Sequence, residues 1–222
     1  MNYKKIMKVS CYGAVIALIL SLLSVGVRAQ LPAAKTRTES KQSSVDTATV
    51  IDVLDGDTFV LSNTTRIRLI GVDTPEKGEP FADVARAFAD SVLRNRKVRI
   101  ELDRLREDRY ERTLGYLFLD GIFFNELLVR NGLARVYQFK ENRRYSKKFI
   151  NAQKDARKNK VGIWSLAAPP TEPYYISAGG SYRFHRPLCP SAKSINPRKA
   201  RKYRTRDSAL DDGLSPCRQC RP

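Results

Sequence analysis

The sequence predicts a mainly β fold with α: a five-stranded Greek-key barrel of the OB type carrying three helices, with a small cysteine-containing module after it. Three observations support this. Short apolar alternations are separated by turn residues, helix-period stripes lie between them, and a Pro-rich break at 167–173 precedes a segment holding three of the four cysteines.

In chain order, residues 48–54, 57–62 and 65–72 read as a meander of strands, with Asp55-Gly56 and Ser62-Asn63-Thr64 as turns. Residues 80–94 set Phe81, Val84, Ala85, Phe88 and Val92 at helical spacing, and 97–102 returns to strand with alternating charged and aliphatic residues. Residues 114–119 give the fifth strand. Asn125 is placed to cap a helix holding Leu127, Leu128 and Val129 that stops at Asn131-Gly132. Tyr145, Phe149, Ala152 and Ala156 stripe a third helix ending near Asn159. Five short strands with interspersed helices in about 120 residues fit a small OB barrel.

Residues 1–29 combine Lys4, Lys5 and Lys8, an apolar run from Cys11 to Val27, and Val27-Arg28-Ala29 as a small-x-small cleavage site, which is a secretory signal peptide. The run is shorter than the roughly 20 apolar residues a membrane span needs. A secreted or periplasmic monomer is therefore expected, with no stable membrane association after cleavage. Removing residues 1–29 deletes four Lys/Arg and no acid, which takes the net charge from +18 to +14. A protein this basic meets polyanions, and charge alone leaves nucleic acid, anionic lipid and cell-wall polymer open. The expected organisation is signal peptide 1–29, disordered segment 30–46, barrel 47–166, Pro-rich linker 167–177 and C-terminal module 178–222.

Charge inverts locally. Residues 50–80 hold six acids (Asp52, Asp55, Asp57, Asp73, Glu76, Glu79) against three basic residues. The strands 57–62 and 65–72 form a hairpin, so Asp57 and Asp73 meet near its open end. Two carboxylates and a backbone carbonyl make an oxygen-only ligand set, which selects Ca²⁺ or Mg²⁺ over zinc or copper, and few protein ligands favour Ca²⁺. Arg68, on the strand between the two motifs, offers a planar guanidinium that clamps phosphate. Either motif alone is equally well a turn or a cap; the two together with an intervening arginine point to a site.

These residues resemble the staphylococcal nuclease (thermonuclease) family. The resemblance runs from Thr47 to Ser165 through Asp55-Gly56-Asp57-Thr58, Arg68-Leu69-Ile70-Gly71-Val72-Asp73-Thr74-Pro75-Glu76, Asp108-Arg109-Tyr110-Glu111-Arg112, Asn125 to Ala134, and Gly162-Ile163-Trp164. It implies that Asp57, Asp73 and the Thr74 carbonyl bind Ca²⁺, that Glu76 handles the attacking water, and that Arg68 and Arg112 bind the phosphate. It further implies hydrolysis of DNA and RNA with little sequence specificity, leaving 3′-phosphates. Two departures stand out: Glu111 replaces the usual Gly before the second arginine, and the segment Lys77-Gly78-Glu79-Pro80 is short. The chemistry is coherent on its own terms, since a cation and two arginines stabilise the charge gathering on phosphate oxygens in the transition state. The alternative is a non-catalytic OB-fold nucleic-acid-binding protein, which has no need of all five groups together. Among the aromatics, Tyr110 is the base-stacking candidate and Tyr116 is expected in the core.

In the C-terminal module His185 and Cys189 lie four positions apart and Cys217 and Cys220 three, a one-His, three-Cys zinc spacing. Near 40 residues a core usually needs a metal or disulfide, so Zn²⁺ or a Cys217–Cys220 disulfide are the two readings; only zinc employs all four residues. The module resembles the metal-binding domain of the Ada DNA-repair protein family, with His185 in place of that domain's first cysteine. Arg198, Lys199, Arg201 and Lys202 belong to a basic run that reads either as a solvated loop or as a phosphate-backbone contact. No candidate catalytic residue falls beyond Arg112, so the module is expected to stand apart from the chemistry.

Overall fold

The computed structural model describes residues 45–222. The signal peptide and nearly all of the segment 30–46 lie outside the described residues, and among those described no helix is long and apolar enough to cross a membrane.

Alternating apolar residues build β1 (Val45–Val53), β2 (Thr58–Leu61) and β3 (Arg66–Leu69) into the expected antiparallel meander, with Val50 opposite Leu61 and Thr58 opposite Arg68. A turn at Gly71 leads into the two-residue strand β4 (Val72–Asp73), then the helix α1 (Ala82–Leu93) and the long strand β5 (Lys97–Glu107). β5 runs antiparallel to β1 from Val45 opposite Glu101 to Thr49 opposite Lys97, so the first strand starts earlier than its sequence pattern suggests. β6 (Thr113–Leu119) closes the ring, antiparallel to β5 and parallel to β3, with Leu69 opposite Gly115. The result is a closed five-strand barrel, whose closure removes free edges. Its interior buries Val50, Val53, Phe59, Ile67, Ile100, Leu114 and Leu117.

The helices pack on this barrel, with two departures from the sequence pattern. α1 faces the core through Ala82, Ala85, Ala89 and Leu93, while Val84, expected inside, is 53% exposed. Small residues let the helix approach closely, with Phe81, Phe88 and Val92 packed at the edge of that contact and Val84 left outside. The second helix, α2 (Phe124–Arg130), follows the short strand β7 (Ile122–Phe123), and Asn125 sits within it rather than capping it. Fully buried, Asn125 accepts the Leu117 amide at 2.9 Å and donates to the Ile70 carbonyl at 2.9 Å, stitching the helix to β6 and to the turn before β4. After β8 (Arg135–Val136), which pairs with β4, α3 (Ser146–Lys158) buries Phe149, Ala152, Gln153 and Ala156, much as its stripe predicts.

The C-terminal segment contains β9 (Tyr175–Ala178), β10 (Arg183–Phe184), the single-turn α4 (Pro190–Lys193), β11 (Ala200–Tyr203), α5 (Arg206–Asp211) and β12 (Ser215–Pro216). β9 pairs antiparallel with β11, and β10 parallel with β12. Tyr175, Phe184, Tyr203, Ala209, Leu210 and Leu214 form its own small core, against which Trp164 packs. This segment is docked onto the barrel's helical side. Ser215 Oγ donates to the Val136 carbonyl at 2.9 Å, the Gln138 amide donates to the Gly213 carbonyl at 2.9 Å, and the mostly buried Arg157 pairs with Asp211 at 2.9 Å. Gly213 has φ +78°, and a Cβ there would fall 1.9 Å from the Gln138 amide nitrogen, so this contact requires glycine.

Replacing Asn125 with Ala should lower stability by about 3 kcal/mol, because each buried partner left unpaired costs ~1–3 kcal/mol. Urea unfolding checks this; a loss below about 1 kcal/mol would mean water replaces the side chain at both positions.

Candidate active site

Register places the central ion group. Thr58 lies opposite Arg68 across the β2–β3 hairpin and the Leu69 amide donates to the Asp57 carbonyl at 2.9 Å, which holds Arg68 beside Asp57. The Arg68 guanidinium ion-pairs with Asp57 Oδ2 through Nη1 and reaches Asp73 Oδ1 through Nη2 at 3.0 Å. Asp57 is held besides by the Thr74 amide at 2.8 Å and the Thr58 hydroxyl at 3.3 Å, and its own amide donates to Asp55 Oδ1 at 3.0 Å. Burial pushes the Asp57 carboxyl up to about 6, with Arg68 pulling the other way. A buried carboxylate on this scale calls for positive charge beside it. Asp57 and Asp73 share one guanidinium and so stand side by side. Their hard oxygen donors suit a cation such as Ca²⁺, the sequence-predicted occupant. The Thr74 contact to Asp57 runs through its amide, a different atom from the carbonyl expected to bind the metal.

These groups line a cleft of about 920 Å³ together with Glu76, Asp108, Tyr110 and Arg112. Glu76 is exposed at the mouth, and its amide donates to Glu79 Oε2 at 3.1 Å. Arg112 is aimed by Asp108: Nε lies 2.8 Å and Nη2 2.7 Å from Asp108 Oδ2. Against the cost of partial burial, the Arg112 side chain and the amides of Tyr110 and Arg112 hold the Asp108 carboxyl below the usual range. That aiming role was not read from the sequence, although Asp108 stands four residues before Arg112, the spacing of a side chain that closes its own turn. Glu111 has φ +59°, the left-handed conformation glycine favours, and it is not among the residues lining the cleft. Tyr110 is 57% exposed with the Arg109 and Arg112 guanidiniums over its ring at 4.8 and 5.4 Å, whereas Tyr116 is buried and donates to Asp103 at 2.8 Å. Tyr137 and Phe139 line the cleft on the far side.

One charged cleft residue comes from the C-terminal segment, which the sequence led us to expect apart from the chemistry. Arg218 Nη2 contacts Asp73 Oδ1 at 2.9 Å and Oδ2 at 3.1 Å, and Nη1 contacts Glu76 Oε1 at 2.9 Å. A separation of 145 residues left no local pattern to reveal it. The only clue is that it lies between two cysteines read as metal ligands.

His185, Cys189, Cys217 and Cys220 do converge, with ligand atoms all within 4.8 Å of one another. The β10–β12 pairing sets Phe184 opposite Pro216, and the Cys217 amide donates to the Phe184 carbonyl at 2.9 Å, so His185 and Cys217 become neighbours. The three cysteines among the described residues form no disulfide, and burial with two neighbouring sulfurs pushes Cys220 up to about 12. By contrast Arg198, Lys199, Arg201 and Lys202 are exposed and do not line the cleft; Arg201 pairs with Asp212 at 2.7 Å and Lys202 lies over the Tyr174 ring at 4.9 Å.

A closed five-strand barrel that gathers two carboxylates, a glutamate and arginines in one cleft defines an OB-fold protein equipped to hold a cation and an anion together. The chain belongs to the staphylococcal nuclease homologue family, whose pattern matches residues 66–166. It is 42% identical over 125 residues to a thermonuclease of Staphylococcus hyicus, covering 52% of this chain and 74% of that protein. It is 40% identical over 121 residues to a thermonuclease of Staphylococcus intermedius, covering 50% and 72%. The endonuclease YncB of Bacillus subtilis (strain 168) is 34% identical over 143 residues, covering 60% of this chain and 68% of its own. Homologues so named support a nuclease.

Relieving the left-handed residue gives a test. Glu111→Gly should raise stability by up to about 1 kcal/mol in urea unfolding. It should change turnover by less than roughly threefold, as expected of an exposed charge screened by salt. A larger gain in turnover would show that the Glu111 carboxylate repels substrate.

Proposed function

We propose that this protein is a secreted or periplasmic Ca²⁺-dependent phosphodiesterase of the thermonuclease type, cleaving DNA and RNA with little sequence specificity. The observation that supports it most is the convergence of Asp57, Asp73, Glu76, Arg68 and Arg112 on one cleft. Asp57 and Asp73, with the Thr74 carbonyl, would hold Ca²⁺, which when bound supplies positive charge against the non-bridging phosphate oxygens. Glu76, exposed at the mouth with Oε1 on Arg218 at 2.9 Å, offers its other carboxylate oxygen to accept the proton of the attacking water. Water oxygen bonds to phosphorus as the bond from phosphorus to the 5′ oxygen breaks and that oxygen takes a proton from solvent, which leaves a 3′-phosphate and a 5′-hydroxyl. Arg68 and Arg112 donate to oxygens whose charge rises in that transition state; Asp108 holds Arg112 in place so that little reorganisation is needed. Tyr110 offers a face for an unstacked base, which favours single strands.

In a nuclease assay on the purified protein, EGTA should abolish cleavage and added Ca²⁺ should restore it. Arg112→Ala should cost roughly 10²–10³ in turnover, as for the loss of one preorganised donor, while Lys148→Ala should do far less. Binding of DNA without cleavage under Ca²⁺ would leave the non-catalytic OB-fold binder as the better account.

The cysteine and histidine cluster supports structural Zn²⁺ in the C-terminal segment, read as a nucleic-acid-binding module of the Ada type. A small core beside four converging donors is the situation in which a metal stabilises most. The purified protein should contain about one equivalent of Zn²⁺, and Cys189→Ser should release it. Metal-free protein with a quantitative Cys217–Cys220 disulfide would overturn this assignment.

A further inference from the structure

Taking the nuclease reading as its basis, we infer that Arg218, carried by the turn between Cys217 and Cys220, is a third phosphate-binding residue of the active site, supplied by the C-terminal segment.

The case begins with position. Arg218 and Arg68 meet the same atom, Asp73 Oδ1, at 2.9 and 3.0 Å, one from the C-terminal turn and one from the barrel wall. Arg68, which the family pattern assigns to phosphate, thus makes the same kind of contact here as Arg218 does. The turn that carries Arg218 is fixed on both sides. Cys217 is held by the Phe184 carbonyl at 2.9 Å, Ser215 is buried with its hydroxyl on the Val136 carbonyl at 2.9 Å, and Arg221 reaches Glu79 at 3.4 Å. The two flanking cysteines belong to the converging donor cluster. Placement of this guanidinium over Asp73 and Glu76 therefore follows from the docking of the whole segment and not from one flexible contact.

Charge then decides what the group does. Asp57, Asp73 and Glu76 are offset in part by Arg68 and Arg218, three negative charges against two positive. A divalent cation on the two aspartates supplies the positive charge they need, so a guanidinium on Asp73 becomes surplus. Of the two, the Arg68 side chain is 14% exposed and tied into a barrel strand, whereas that of Arg218 is 58% exposed at a turn tip. Arg218 is the one free to turn away. Its backbone stays anchored at the mouth, and the anion arriving there is the phosphodiester, which a planar fork of N–H donors matches in bidentate fashion.

The experiment is calorimetric titration of the purified protein, in excess Ca²⁺, with deoxythymidine 3′-phosphate as the probe, alongside steady-state cleavage of a short single-stranded oligonucleotide and a separate Ca²⁺ titration without nucleotide. Arg218→Ala should weaken nucleotide binding by about tenfold, the worth of one charge-assisted hydrogen bond, and raise KM by a similar factor. Arg218→Lys should recover part of both. Ca²⁺ affinity without nucleotide should hold or tighten, because a competitor for Asp73 is gone. Equal nucleotide affinity in the parent and Arg218→Ala overturns the inference. So does a variant that binds Ca²⁺ more tightly and cleaves faster with no loss of nucleotide affinity, which would make Arg218 a tethered plug. A parent protein that neither binds the nucleotide nor cleaves overturns the nuclease reading itself.

Discussion

The site depends on one guanidinium held between two carboxylates. Arg68 joins Asp57 and Asp73, which lie at opposite ends of a hairpin and its following turn. Burying two acids side by side is costly unless positive charge accompanies them, and removing the partner of a buried charge is costlier than never having made the pair. The pairing of Thr58 with Arg68 meets that need through backbone register, so forming the β2–β3 hairpin sets Arg68 beside Asp57. It also explains why the cleft is ready for a cation: the acids are already adjacent and desolvated, and their charge is only partly offset.

Charge acts here on two scales. The sequence as a whole carries +18, which draws polyanions from a distance and is screened by salt. Within the cleft the balance is nearly even, because Asp55, Asp57, Asp73, Glu76, Glu107 and Asp108 line it with Arg68, Lys77, Arg109, Arg112 and Arg218. Long-range attraction of this kind suits a polyanion, while the adjacent carboxylates of Asp57 and Asp73 suit a cation. Arg112 sits between these roles. Asp108 neutralises and orients it, so it meets substrate as a positioned donor and not as part of the general positive field.

The C-terminal segment is more than an appendage. Its own core is small, and Tyr175, Phe184, Tyr203 and Leu210 do not bury enough surface to define it alone. It gains definition from three directions: the converging cysteine and histidine donors, the docking of Gly213 and Ser215 on the barrel, and the Arg157 pairs with α5. Through Arg218 that docking reaches the cleft, although the cysteine and histidine donors themselves do not line it.

Much was legible locally. Alternation and turn residues gave the five strands, helical spacing gave α1, α2 and α3, and the motifs around Asp57, Arg68, Asp73 and Arg112 pointed to one site because hairpin geometry brings such residues together whatever surrounds them. The cysteine and histidine spacing was legible for the same reason, since ligands in short pairs need only one long-range contact to meet. What the sequence could not determine depended on contacts between distant surfaces. The outward face of Val84 and the internal bridge made by Asn125 each follow from which element packs against which. Above all, the entry of Arg218 into the cleft required the C-terminal segment to dock in one orientation, a choice made by Gly213, Ser215 and Arg157 together. Periodicity reports which face of an element is apolar; only tertiary packing decides what that face meets.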